Sequence, residues 1–417
     1  MYNIKIKNGE DLYGRSNFKL RSDMLDPSLL RSKLISDIRN RVGIESISTN
    51  YIQLYINDEY MGLYIMTDVI NLPWIEDVYD DKKTKYLYKC KYFYDFIAGY
   101  FDQCINKNED VTDHNEWINF LTAVENATSA SDIEDIFDVE HFLYEMAIDY
   151  LSNASDHASH NFYLYKQPNG KWTYISYDFD LDFNYEINYD MMDEEYIKVI
   201  DGKDRLYELL ISQDHERFND ILKDIINRVF NPATLFSHID EIKHFIKPYV
   251  ILDKTPDANG NFPGAFNDVI PGFKYYTVEE WDDFSEFAIS TNEAGLKYII
   301  LMKYIYICYH LNMECDPIYL DENYKNSHVK YVEDNYSDNN EYSTYTTKNE
   351  IPTTISTKKI PIETTTKIQT EIPNKQYTFT SYKIPLEIET EYEYDEPTFS
   401  TDDESSSDEE EDIIEII

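Results

Sequence analysis

Apolar and polar positions alternate at the start of the chain. Tyr2, Ile4 and Ile6 interleave with Asn3, Lys5 and Lys7, the period of a strand with one buried face. A turn over Asp11-Leu12-Tyr13-Gly14-Arg15 leads to a second alternating run, Ser16 to Ser22, built around Phe18 and Leu20. The period then becomes helical. Leu30, Leu34, Ile38 and Val42 form one stripe, with Asp26 as its expected cap, Pro27 at the first helical position and Gly43 as its stop. Two strands follow, Tyr51 to Ile56 and Met61 to Met66, joined by a turn at Asn57-Asp58.

Residues 116–155 carry a helical pattern that includes a helix capped by Asp138, with Phe142, Leu143, Met146, Ala147 and Leu151 on its apolar side. A hairpin comes next, Phe162 to Tyr165 and Trp172 to Ile175, turning at Pro168-Asn169-Gly170. From 196 to 316 the pattern is mainly helical, through Leu206, Leu209, Leu210, Ile221, Leu222, Ile225, Ile226 and Val229. Thr277 and Glu280 form a capping box, and Leu296 to Leu311 is a buried helix. Beyond 317 the composition shifts to Thr, Ser, Pro and Glu, ending in an acidic run from Asp402 to Asp412. Such a segment cannot bury enough apolar surface to fold by itself. The chain divides into an α/β part over 1–112, a mainly helical part over 113–317, and a disordered low-complexity tail over 318–417.

Charge and composition narrow the function classes. A formal net charge of −43 repels a phosphate backbone and excludes nucleic acid as a partner. It also disfavours an anionic membrane surface and leaves basic peptides and metal ions compatible. No apolar run reaches the roughly 18 residues of a membrane span. The first residues hold no signal-peptide core, and an open strand at Met1 implies partner strands upstream. Cys90, Cys104, Cys308 and Cys315 are either two bridges of a secreted protein or buried thiols. Sequons at Asn126, Asn153 and Asn335 fit secretion.

The candidate chemistry lies around the second hairpin. Asp156 and Asn161 stand five positions apart in the loop before it, and Asp178 and Asp180 follow it in Tyr177-Asp178-Phe179-Asp180-Leu181-Asp182-Phe183. A phosphotransferase loop sets a base carboxylate before a metal-binding amide at that spacing, and a second metal carboxylate follows on a later strand end. Oxygen ligands of this kind suit Mg²⁺. His157 and His160 lack the single-face spacing of a zinc site and are read as stabilising the loop, and Asp182 as a solvated or outer-shell charge. Phosphate needs a cation. Lys5, Lys19 and Arg21 lie on the first two strands, with Lys5 the favoured contact. Ser152, Ser155 and Ser159 stand near His, yet no nucleophile elbow surrounds them.

Four blocks resemble the CotH-like atypical protein kinases, a family of spore-coat type common in fungi. They are Phe18 to Ser22 with Asp26 to Leu34, Leu54 to Tyr64, Asp156 to Tyr165, and Tyr177 to Phe183. The resemblance covers residues 2–316. It implies an α+β, kinase-like two-lobed fold in which 1–112 is the N-lobe part and 113–317 the C-lobe. The implied activity is transfer of the ATP γ-phosphate to protein Ser or Thr with Mg²⁺ or Mn²⁺, on coat or cell-wall proteins, in a secreted or cell-surface protein. Asp156 resembles the catalytic Asp, Asn161 and Asp178 the metal ligands, with Asp180 assisting. Two departures stand out. Asn153-Ala154-Ser155 replaces a segment where the family carries a Trp, and no G-x-G-x-x-G occurs. The missing glycine clamp and the Thr-rich tail favour an alternative, a non-catalytic kinase-like surface adhesion or coat module.

Overall fold

The computed structural model describes residues 2–332 except 7–10, 13, 24, 57–58, 155, 158, 184–202, 257, 259, 261, 263–275 and 292, together with short strands at 371–372, 375–376 and 386–390. The fold mixes helices and strands around two antiparallel sheets.

The first sheet follows from the alternation. It contains β1 (Tyr2–Ile6) and β2 (Asn17–Arg21). After helix α1 (Arg31–Val42) come β3 (Thr49–Ile56) and β4 (Glu59–Asp68). Tyr2, Ile4, Ile6, Phe18, Leu20, Leu54 and Tyr64 bury one face as a small core of their own. The register pairs Asn3 with Lys19, Lys19 with Thr67, and Thr67 with Thr49. Residues directly opposite one another share a face, so the other side of the sheet carries a polar row that includes Lys19.

α1 starts later than its sequence signals. Leu29 adopts φ 57°, a left-handed conformation that no helix running from Pro27 can accommodate. Asp26 keeps a capping role from further back: its carboxylate accepts the Arg31 N–H at 2.8 Å and the Ser28 N–H at 2.8 Å. Gly43 ends the helix at φ 89°, as expected. Leu30, Leu34, Ile35 and Ile38 then pack into the large core that runs through the rest of the molecule.

After α2 (Leu72–Tyr79), a second sheet is assembled from β5 (Leu87–Cys90), β6 (Cys104–Asn106), β7 (Phe162–Lys166) and β8 (Trp172–Ser176), in spatial order β6-β5-β7-β8. β7 and β8 are the hairpin foreseen from the sequence; β5 and β6 are short and were not. A disulfide joins Cys90 to Cys104, which face each other across β5 and β6. Between β6 and β7 lie α3 (Asn115–Asn126) and α4 (Val139–Ser152). The Asp138 side chain accepts the His141 N–H at 3.3 Å and caps α4.

The helical part holds α5 (Asp204–Tyr207), continued by one wide turn over Glu208–Ser212, then α6 (His215–Arg228), α7 (Pro232–Asp253) and α8 (Val278–Ser285). The capping box of Thr277 and Glu280 forms at the start of α8. β9 (Ala288–Ile289) leads to the buried α9 (Leu296–His310), and Cys308 bonds to Cys315 just after it. All four cysteines are therefore bridged, which settles the choice left open by their spacing.

The packed body continues past residue 317. α10 (Pro317–Leu320), α11 (Glu322–His328) and β10 (Lys330–Tyr331) follow, and β10 pairs with β9. Tyr319, Leu320, Tyr324 and Val329 pack against the main core, apolar positions that the polar composition around them concealed. Farther on, β11 (Glu371–Ile372) pairs with β12 (Lys375–Gln376). β13 (Leu386–Thr390) pairs along the outer edge of β1. The edge that the sequence left open is thus covered by a later segment of the same chain. The acidic run from Asp402 to Asp412 lies outside the described residues.

Candidate active site

α4 delivers the chain to the loop that precedes β7. Asn153 ends the helix in the left-handed region at φ 52°, and the Ala154 N–H donates to the Asp149 carbonyl at 2.9 Å. Three residues later Asp156 carries two side-chain hydrogen bonds. His160 Nε2 lies 2.7 Å from its Oδ1, and Asn161 Nδ2 donates to its Oδ2 at 2.7 Å. A quarter of the Asp156 side chain stays exposed. With its amide nitrogen turned to Asp156, Asn161 keeps its amide oxygen for another partner. Asn161 and Asp178 stand at matching ends of the hairpin, because the Tyr177 N–H donates to the Asn161 carbonyl at 2.9 Å. Both are non-glycine residues at positive φ, 61° and 72°, a strained conformation that accumulates at functional sites.

A cleft of about 360 Å³ opens between the two sheets. Asn3, Lys5, Lys19 and Arg21 line it from the first sheet; Lys89, Lys107, Tyr163, Tyr177 and Asp178 line it from the second. All three cations singled out from the sequence reach this cleft, together with Asp178. Asp156 and Asn161 sit beside it and are not among its lining residues. Lys89 and Lys107 were missed. Nothing in their local sequence marks them, and the cleft gains them only through the unforeseen pairing of β5 with β7.

Arg21 is the centre of the charge pattern here. Its guanidinium forms ion pairs with the carboxylates of Asp178 and Asp180, the latter at 2.6 Å, and its Nε lies 3.3 Å from Asp23 Oδ1. Asp23 is buried at φ 41° and accepts from Ser32 Oγ at 2.6 Å. It belongs to the same cluster and was not foreseen, since a lone Asp after a strand has no motif. Three carboxylates meet one guanidinium. Burial, aided by the nearby Asp178 and Asp23, pushes the Asp180 carboxyl well up despite Arg21. Burial raises Asp23 as well. Asp178 moves the other way: burial opposes ionisation, but Arg21 and Lys19 outweigh it. The cluster is short of positive charge, and a carboxylate set in that state has the donor chemistry for a divalent cation.

A second ionic cluster lies behind the same segment. Arg39, fully buried on α1, donates to Glu145 at 2.7 Å, Asp149 at 3.0 Å and Ser176 at 2.7 Å, and covers the Phe179 ring at 4.5 Å. His157 places Nδ1 3.1 Å from Asp149 and Nε2 2.9 Å from the Asp178 carbonyl. Burial works against its charge, yet Asp149 and Asp182 overcome this and lift its pKa to about 9. The imidazolium thus ties the loop to the backbone of Asp178, the stabilising role expected for it. Asp182 is not a solvated neighbour. It is 1% exposed, accepts from Ser152 Oγ at 2.9 Å, and lies 3.9 Å from His157. Burial raises its carboxyl. Asp149, His157 and Asp182 come close enough to hold a metal, but both imidazole nitrogens are already engaged and the protonated ring is itself the cation between the two acids.

The chain is similar to known proteins over most of its described length. A family model described as CotH kinase protein matches residues 2–286. Invasin CotH2 of Rhizopus delemar is 26% identical over 280 residues, which is 59% of this chain and 47% of that protein. Spore coat protein homolog 1 of the same fungus is 26% identical over 277 residues, 60% of this chain and 45% of the relative. Inner spore coat protein H of Bacillus subtilis is 21% identical over 278 residues, 60% of this chain and 74% of that protein. The chain spans about half the length of the fungal relatives it matches.

Proposed function

The chain belongs to the CotH kinase protein family, and from that membership we propose that it is a protein Ser/Thr kinase with a kinase-like two-lobed body, using ATP and Mg²⁺ or Mn²⁺ at the cell surface. The observation that carries this reading is the under-neutralised cluster of Asp178, Asp180 and Asp23 around Arg21, of which Asp178 and Arg21 line a cationic cleft.

Each group has a task in this reading. Lys5 and Lys19 meet the phosphates from the first sheet, and Lys89 and Lys107 extend that cationic wall. Arg21 restrains Asp178 and Asp180 and lines the same cleft as the lysines. Asp178, Asp180 and the Asn161 amide oxygen would hold the metal, which when bound would supply charge neutralisation on the triphosphate. Asp156, held in place by His160 and Asn161, orients the acceptor hydroxyl and accepts its proton. The two disulfides fit an extracellular setting.

A second reading rests on the printed names of the relatives, which are those of invasins and spore coat proteins. In that reading the fold serves as a surface module without phosphotransfer. Transfer from labelled ATP to a generic protein separates the two. Asp156→Ala and Asp178→Ala are each expected to lower the signal at least about a hundredfold, while folding stays intact by circular dichroism. Equal signal from all three chains rejects the kinase; no nucleotide binding with surface attachment retained favours the module.

A further inference from the structure

The asparagines of two of the three sequons, Asn126 and Asn153, are described residues, and the fold treats them in opposite ways. Asn126 is the last residue of α3 and is exposed, as is Thr128. Between them Ala127 is buried and extended, at φ −61° and ψ 148°. Arg205 holds this backbone from below, donating to the Val124 carbonyl at 3.2 Å and to that of Ala127. The turn is thereby fixed with the Asn126 side chain outward. Its amide makes one exposed hydrogen bond, to the Thr122 carbonyl at 2.8 Å.

Asn153 is 7% exposed. It closes α4 in the left-handed region, three positions before Asp156. A branched, heavily hydrated sugar on its amide would have to displace the helix end and the loop that follows. The pairing of all four cysteines supplies an independent constraint. Cys90–Cys104 and Cys308–Cys315 both lie in the packed body, and such bridges persist in an oxidising compartment. In eukaryotes that is also where sequons are modified.

We infer that Asn126 is an acceptor for an N-linked oligosaccharide and that Asn153 is excluded in the folded protein. The donor class is an oligosaccharide carried on a lipid diphosphate. The Asn126 amide nitrogen bonds to the anomeric carbon of the first sugar, the bond from that carbon to the diphosphate oxygen breaks, the lipid diphosphate leaves with the bonding electrons, and the amide gives up one proton. The Asn335 sequon lies outside the described residues.

The test is expression of the full chain in a eukaryotic secretory host behind a cleavable leader, with purification of the folded, secreted fraction. Peptides are then mapped by mass before and after enzymatic deglycosylation in heavy-oxygen water, which marks each formerly occupied Asn. The expected result is label on Asn126, none on Asn153, and both disulfides intact on a non-reducing map. Asn126→Gln and Thr128→Ala should each remove one glycan's shift in mobility, while Asn153→Gln should remove none. An unlabelled Asn126 in the disulfide-bonded protein overturns the inference. So does label on Asn153 in protein that keeps native circular dichroism.

Discussion

Two ionic clusters flank the segment from Asp178 to Asp182, and they are built to different charge balances. On the cleft side Asp23, Asp178 and Asp180 share Arg21. On the inner side Glu145, Asp149 and Asp182 share Arg39 and a protonated His157. Both are buried. The inner set has two cations for its three carboxylates, and its hydrogen bonds reach Ser152 and Ser176. It reads as architecture, a polar joint between α1, α4 and the end of β8. The cleft set has one guanidinium among its three carboxylates, with Lys19 acting on Asp178 alone, and burial raises both Asp180 and Asp23. That deficit is what distinguishes a site from a joint, and it shows in the arrangement more clearly than in residue identity. Both sets draw on one Asp-x-Asp-x-Asp run.

The largest effect should come from the joint. Arg39→Ala strips the guanidinium from buried Glu145 and leaves Asp149 with His157 as its cation, which costs about 3–5 kcal/mol. Urea unfolding followed by circular dichroism measures it. A loss under about 1 kcal/mol would mean that water enters the inner cluster and that its contrast with the cleft is wrong.

Protons test the same joint. Burial alone would raise the Glu145 carboxyl, but Arg39 and His141 outweigh it and lower the pKa from 4.5 to about 2. A carboxylate with a depressed folded-state pKa adds stability above its unfolded value and loses it as pH falls through the folded one. The contribution, on the order of 3 kcal/mol, should therefore be complete above pH 5 and fade between about 4.5 and 2. Glu145→Gln should be clearly less stable than the native chain at pH 7, with the gap narrowing steadily as the pH drops to 3. A gap independent of pH would assign the loss to packing.

The contrast between the clusters also explains what could be read from the chain alone. The strands and long helices were legible because alternation and helical stripes survive in β1 to β4, α4, β7, β8 and α9. The loop residues were legible because Asp156, Asn161 and Asp178 stand at short, regular spacings around one hairpin. Contacts made across long separations were not. Arg39 meets Glu145 over 106 positions, and Arg21 meets Asp180 over 159. A cationic residue inside a helix gives no hint of such a partner. Of the two readings of Asp182, the solvated one fails for the same reason: an acid in an acidic chain looks solvated until Ser152 and His157 are seen around it. α10 and α11 were hidden by polar composition, since their few apolar residues stabilise them only by docking on the main core.

A divalent cation should sharpen the difference between the clusters. If Asp178 and Asp180 bind it, the folded state gains about 2.7 kcal/mol at a hundredfold excess over the dissociation constant. Mg²⁺ and Mn²⁺ titrations followed by thermal shift should raise the melting temperature of the native chain. Asp178→Asn should abolish the rise. Asp149→Asn, although less stable at the outset, should keep it. If Asp149→Asn loses the response while Asp178→Asn keeps it, the metal belongs to the inner cluster, and the roles argued for the two are reversed.

The smallest effect is the most discriminating. Burial and the neighbouring carboxylates raise the Asp180 carboxyl and favour its neutral form. An amide in its place then removes little: Asp180→Asn keeps a neutral side chain of the same shape, and Arg21 still has Asp178 and Asp23. The stability change without metal should be within about 1 kcal/mol. Asp149→Asn, the same chemical substitution, should cost several-fold more, because Asp149 bridges both Arg39 and His157. The comparison holds only if the small loss at 180 comes with loss of the metal response and the large loss at 149 does not. Equal losses at the two positions would mean that Asp180 is ionised and fully paired in the resting chain, leaving the cleft no charge deficit for a cation to fill.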